Sequence, residues 1–233
     1  MWSVLLLGFL LGLRHSLDAD HLAAVATLSA EGRGLSQGLR LGLSWGVGHA
    51  LPLFLLGSII ILSGEVIPPG VAGALEALVG VMLIVLGAGV LWRFHRNRVH
   101  FHIHQHHGQT RHFHAHSHAG ESIPHNPESH RHRHARGLNR KALLVGVVHG
   151  CAGTAALVLI TVNAMGSLAW GMVYIALFSL GALAGMALLS TLISLPMEYA
   201  ARRANSLYRG LIISIGAGTV ILGLSIVLPV LFS

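Results

Sequence analysis

His15, Asp18, Asp20, His21, His49 and His149 are ionisable residues set in otherwise apolar stretches of the chain. An ionisable group near the middle of a bilayer costs roughly 2.5–3.5 kcal/mol and persists where it is paired or faces a polar path. On a continuous helix, His15, Asp18 and His21 fall within a stripe about 120° wide, successive members three residues apart. Two imidazoles and a carboxylate then share one line. Arg14, four residues before Asp18, is placed to neutralise that carboxylate, and Asp20 projects elsewhere unless the helix is locally unwound. His49, in Trp45-Gly-Val-Gly-His49, and His149, in Val148-His-Gly-Cys151, add two more imidazoles. Neutral imidazole with carboxylate suits nickel, cobalt, zinc or copper(II), and the lack of a thiolate or thioether cluster argues against copper(I). One such histidine alone reads as a hydrogen-bonding link between helices. Four with two aspartates point to a bound ion.

The elements that must hold these groups are membrane spans. The chain has 233 residues, 53% of them hydrophobic and only 10% charged, with a mean hydropathy of +0.68. That composition excludes a water-soluble globule, a disordered tail and a coiled coil. Apolar runs separated by Gly, Pro and polar breaks predict six transmembrane helices near 2–29, 37–62, 69–92, 142–163, 168–195 and 207–231. The fold class expected is an all-α polytopic membrane protein. His49 and His149 then lie about 10–18 Å from the cytoplasmic ends of their spans at 1.5 Å per residue, so all four histidines share a depth. Gly46, Gly48, Gly146, Gly150 and Gly153 let the first, second and fourth spans approach closely.

The net charge of +7 is confined to one segment. Residues 93–141 carry nine basic residues against Glu121 and Glu128, and the rest of the chain is neutral. Arg33 and Arg40 fall at the junction of spans one and two, and Arg202, Arg203 and Arg209 at that of five and six. Basic loops on one side predict a plasma-membrane protein with cytoplasmic basic loops and both termini outside, so nucleic acid is not an expected partner. Residues 1–13 lack a basic n-region, so no cleaved signal peptide is expected. The organisation expected is spans one to three in 1–93, a histidine-rich, disordered cytoplasmic loop in 94–140, and spans four to six in 141–233.

An internal repeat divides the spans. Leu11-Gly-Leu-Arg-His15 resembles Val145-Gly-Val-Val-His149, and Val79-Gly80 to Gly87 resembles Ile215-Gly216 to Gly223. Three spans per half is an odd number, so the halves would be inverted, the 3+3 plan in which secondary transporters place sites near the midplane.

Fourteen of the eighteen histidines lie in His95–His134. Such a tract cannot pack as a core and reads as a metal-collecting loop whose affinity falls with acidity. The single cysteine, Cys151, excludes an internal disulfide and reads as a small packing residue or an auxiliary soft ligand. Glu76 and Glu198 sit near helix ends, where they reach interfacial water. Gly42-Leu-Ser-Trp-Gly46 fits G-x-S-x-G, but the nucleophile elbow needs a strand–turn–helix. H-E-x-x-H and G-x-x-x-x-G-K-[ST] are absent, which removes the usual zinc-protease and ATPase readings; no enzyme activity is expected.

Arg14-His-Ser-Leu-Asp-Ala-Asp-His21 resembles the H-x4-D-H signature of the nickel/cobalt transporter family. Ser44-Trp-Gly-Val-Gly-His49 is similar to that family's second histidine motif. Val148-His-Gly-Cys-Ala-Gly-Thr154 looks like the H-G-x-A-G-[ST] stretch of its six-helix branch, often called urease accessory membrane proteins. The resemblance implies that His15, Asp20 and His21 are motif residues and His49 the second-motif residue. It implies transport of nickel or cobalt as cargo, with no resident cofactor, and metallochaperones of urease or hydrogenase assembly as partners. The chain departs from larger family members in lacking extra helices, and it has Cys151 where the branch carries a small or aliphatic residue. The expectation is a transporter of divalent transition metal, with His15, Asp18, Asp20, His21, His49 and His149 as ligands. The rival is a membrane-anchored nickel buffer or metallochaperone that needs only the loop.

Overall fold

The computed structural model describes residues 2–30, 34–64, 67–96, 100–104, 112–116, 138–152, 167–203 and 205–232. The first expected span is two helices, α1 (Trp2–His15) and α2 (Ala19–Ser29). At the end of α1 the Ser16 hydroxyl donates to the Leu13 carbonyl at 2.7 Å. The N–H groups of Leu17 and Asp18 reach back three residues, to Arg14 and His15, at 2.9 and 3.1 Å. Asp18 is extended (φ −60, ψ 149) as the N-cap of α2, and the Leu22 N–H returns to its carbonyl at 2.9 Å. The Ser16 hydroxyl thus competes with the ladder for a carbonyl, which gives the interruption its local cause, while the Asp18 side chain makes no cap bond and turns back to His15.

Helix α3 (Leu35–Ser63) runs between Gly34, at φ 91, and Gly64, at φ 69. The Gly64 N–H bonds the Ile60 carbonyl at 3.0 Å, a left-handed C-terminal cap that glycine adopts without strain. Helix α4 (Pro69–Arg96) opens on a proline, whose missing N–H costs nothing in a first turn, and closes on Arg93, His95 and Arg96 at its negative dipole end. In α5 (Arg140–Ala152) the Asn139 side chain accepts the Ala142 N–H at 3.2 Å. The rest of the expected fourth span, including Gly153, lies outside the described residues. Helix α6 (Leu168–Arg203) continues through Pro196, past the expected end at 195, because proline forfeits one ladder bond and the residues after it are mostly good helix formers. Helix α7 (Asn205–Leu231) follows.

Among the described residues, α3, α4, Leu168–Ala200 of α6 and Ser206–Leu231 of α7 are long and apolar enough to cross a membrane, and Ser3–His15 is a shorter apolar helix. Their outward faces expose Leu55, Ile59, Val85, Leu188 and Ile221, a surface suited to lipid. The protein is a helical membrane protein.

Inside, α6 packs against both α1 and α3, α5 packs on α3, and α4 packs on α7. Trp45, Leu83 and Met186 are fully buried in this core. Hydrogen bonds pin the helices together: Thr27 Oγ1 to Thr219 Oγ1 at 2.9 Å joins α2 to α7, and the Ser190 hydroxyl donates to the Gly38 carbonyl at 2.8 Å between α6 and α3. The Ser44 hydroxyl donates to the Arg40 carbonyl at 2.6 Å and accepts the Asn139 N–H at 2.8 Å, a fastening of α5 to α3.

Within the histidine-rich segment, β1 (His100–His104) and β2 (His112–His116) pair antiparallel. The register sets His100 opposite His116, His102 opposite His114 and His104 opposite His112. Alternate residues of a strand share a face, so these six positions fall on one face of the ribbon.

Candidate metal centre

The break at residues 16–18 is what assembles the site. With the helix interrupted there, His15 ends α1 while Asp20 and His21 occupy the first turn of α2. The single stripe through His15, Asp18 and His21 does not form. Helix α3 brings His49 and α5 brings His149, both buried. Their close approach depends on glycine: a Cβ at Gly146 would meet the Trp45 carbonyl and the His49 N–H, and one at Gly150 would meet the His49 carbonyl.

The four imidazoles form one cluster. Ring centroids lie 4.4 Å apart for His15 and His21, 4.2 Å for His21 and His149, 5.0 Å for His21 and His49, and 5.4 Å for His15 and His49. Asp20 bridges two of them, with Oδ1 3.0 Å from His21 Nδ1 and Oδ2 2.7 Å from His149 Nε2. Trp45, one turn before His49 in α3, lies against His21 and His149 at centroid distances of 5.6 and 5.9 Å and closes the back of the cluster.

Buried polar atoms almost always find partners, and here several do not. His15 Nε2, His21 Nε2, both ring nitrogens of His49 and His149 Nδ1 are buried without a hydrogen-bond partner. A neutral imidazole nitrogen with a free lone pair is an atom that can ligate a metal. One ligand atom each from His15, His21 and His49 lie within 4.8 Å of one another, and the same holds for Asp20, His21 and His149. Three donors held about 2.1 Å from one metal are mutually separated by no more than about 3.6 Å, so pairs at the 4.8 Å limit must draw in by up to about 1.2 Å to close on an ion. The carboxylate contacts orient the rings: with Nδ1 of His21 held by Asp20 and Nδ1 of His15 held by Asp18 at 2.8 Å, the Nε2 atom of each is left for an ion.

Asp18 stands outside both groups, its side chain 55% exposed against 30% for Asp20, and it touches the site through His15. Among the described residues Asp18 makes no ion pair with Arg14; its partner is His15. Cys151 is half-buried and belongs to neither group. A cavity of about 280 Å³ opens against the cluster, lined by His15, Asp20, His21 and His149 with Glu76, Val79, Ala152 and Ile226. Glu76 and Trp45 are the neighbours the sequence did not assign. The available signal for Trp45 was its spacing, four residues before His49 on one helix face.

The amino-acid pattern that produces this geometry is a family pattern. Residues 1–228 match the family of high-affinity nickel-transport proteins designated NicO. The chain belongs to this family. It is also 31% identical, over 203 residues covering 86% of this chain and 80% of the relative, to the urease accessory protein UreH of Bacillus sp. (strain TB-90). No solved structure matches it. Nickel, the ion in this family's description, is a borderline cation well served by imidazole and carboxylate, the donor types gathered here.

Proposed function

We propose that this NicO protein carries nickel or cobalt across the plasma membrane through the His15–Asp20–His21–His49–His149 cluster. The observation that carries the reading is the set of buried imidazole nitrogens left unpartnered where α1, α2, α3 and α5 meet. A divalent ion entering the cavity exchanges part of its water for these nitrogens, with Asp20 either joining the shell or holding His21 and His149 in place. Neutral imidazoles and one carboxylate leave the loaded site with a single positive charge, a smaller burden in lipid than a bare dication.

A six-span, 3+3 inverted arrangement is part of this reading, and it would provide alternating access. The repeat equates Gly80 with Gly216 and Gly87 with Gly223. A Cβ at Gly80 would meet the Gly223 carbonyl and one at Gly216 the Gly87 carbonyl, contacts that exchange when the halves exchange. Likewise Gly12 abuts the Phe178 carbonyl and the Ala182 N–H of α6, while its counterpart Gly146 abuts the Trp45 carbonyl and the His49 N–H of α3. Rocking of one half on the other about these glycine contacts would open the centre to either side. The basic ends of α4, at Arg93 and Arg96, and of α5, at Arg140 and Lys141, support a cytoplasmic placement of the loop between them and both termini outside.

The β1–β2 register, which sets three histidine positions of one strand opposite three of the other, supports metal capture by that loop. The UreH likeness supports delivery to metallochaperones of urease or hydrogenase assembly. A buffer that does not transport is the other reading, and the loop separates the two. Deleting residues 95–134 should weaken capture at low metal and leave saturating flux intact in a transporter. If the deletion removes every metal-dependent effect while His15→Ala and His21→Ala change none, the protein is the buffer.

A further inference from the structure

Glu76 lies eight residues into α4, an apolar helix of 28 residues spanning about 42 Å at 1.5 Å per residue. A hydrocarbon core of about 30 Å centred on that helix would begin about 6 Å in, so Glu76, about 11 Å from the start, falls inside it. It sits in the half of α4 remote from Arg93 and Arg96. Between residues 69 and 92 it is the only charged residue. Among the described residues it has neither a hydrogen bond nor an ion pair. An unpaired carboxylate inside lipid is expensive and is retained where it serves a polar path. Here the path is visible: Glu76 and Val79, one turn apart, share the wall of the 280 Å³ cavity with His15, Asp20, His21 and His149.

We infer that Glu76 is the port ligand of this cavity, the carboxylate that draws a hydrated divalent cation in from the side opposite the basic loops and passes it to the histidines. The inference rests on the cluster being the cargo site. The chemistry suits the task. A carboxylate oxygen binds a hydrated dication without stripping its whole water shell, whereas the buried nitrogens of His21 and His49 require dehydration. A single anionic group at the mouth of a low-dielectric cavity also concentrates cations there. Val79 and Ile226, apolar residues of the same wall, leave the carboxylate as the one anionic group in the cavity apart from Asp20.

The test compares wild type, Glu76→Gln and Glu76→Asp in the full-length protein, with cobalt(II) as the probe. Cobalt absorption from the intramembrane centre is isolated by subtracting the spectrum of His21→Ala. In detergent, Glu76→Gln should bring the cobalt on-rate at the centre down about tenfold or more while the final spectrum stays that of wild type, and Glu76→Asp should restore much of the rate. In sealed vesicles the same variant should raise the apparent KM for metal presented from the outer side and leave kcat near wild type. An on-rate equal to wild type overturns the proposal. So does an altered final spectrum, which would make Glu76 a structural support or a ligand of the centre itself. Failure of wild type to move metal in vesicles would refute transport, while the on-rates in detergent would still decide the role of Glu76.

Discussion

Asp20 Oδ2 lies 2.7 Å from His149 Nε2, joining the first turn of α2 to α5 across 129 positions of sequence. The same carboxylate holds His21 Nδ1 through its other oxygen at 3.0 Å. One side chain therefore sets the orientation of two imidazoles from different helices, and the break at Ser16–Asp18 is what turns it toward them.

Asp20→Asn keeps the shape of this bridge and removes its charge. Nickel affinity of the centre should fall about 10- to 100-fold, the range seen when a carboxylate partner of a metal-binding histidine is lost. Asp18→Asn, acting on His15 alone from an exposed position, should cost less. Calorimetric titration of the two purified variants checks the ranking, and an equal or larger loss at Asp18 would reverse the assignment.

Gly146→Ala would place a methyl group against the Trp45 carbonyl and the His49 N–H, backbone atoms that cannot swing aside. Overpacking of this kind costs about 1–3 kcal/mol, so thermal stability in detergent should drop and metal binding should weaken as His49 is pushed from His149. Gly218→Ala, at a helical position with nothing within 4 Å, should leave the melting temperature unchanged or slightly higher. Paired melting curves decide between packing at this contact and a general intolerance of added methyl groups.

Metal binding should weaken as pH falls, because a protonated imidazole has no lone pair to offer. The expected slope is up to about tenfold in affinity per pH unit for each histidine that must shed a proton. Cobalt titrations of the full-length protein between about pH 7.5 and 6, with His21→Ala subtracted, read the centre apart from the loop. Affinity that rises on acidification would contradict ligation by neutral histidine.

Much of the site was legible because lipid makes ionisable residues conspicuous: His15, Asp20, His21, His49 and His149 each interrupt an apolar run, and the structure gathers all five. The division of labour between Asp18 and Asp20 was not legible. It depends on whether residues 2–29 are one helix or two, and the break carries no Gly or Pro, only a Ser16 hydroxyl donating to the Leu13 carbonyl and an extended Asp18 at the N-cap position. In the sequence Glu76 reads as a helix-end residue, since position along a helix says nothing about which cavity that face meets. The end of α6 lies past the expected one for a related reason. Pro196 marks a missing donor, and whether the helix stops there is decided by the residues beyond it.

The most direct test is nickel flux into sealed proteoliposomes, comparing wild type with His21→Ala at equal protein insertion. Wild type should show saturable uptake, and the variant, which removes the imidazole common to both ligand groups, should fall to the rate of protein-free vesicles. Uptake by His21→Ala equal to that of wild type would show that the ion does not pass through these histidines.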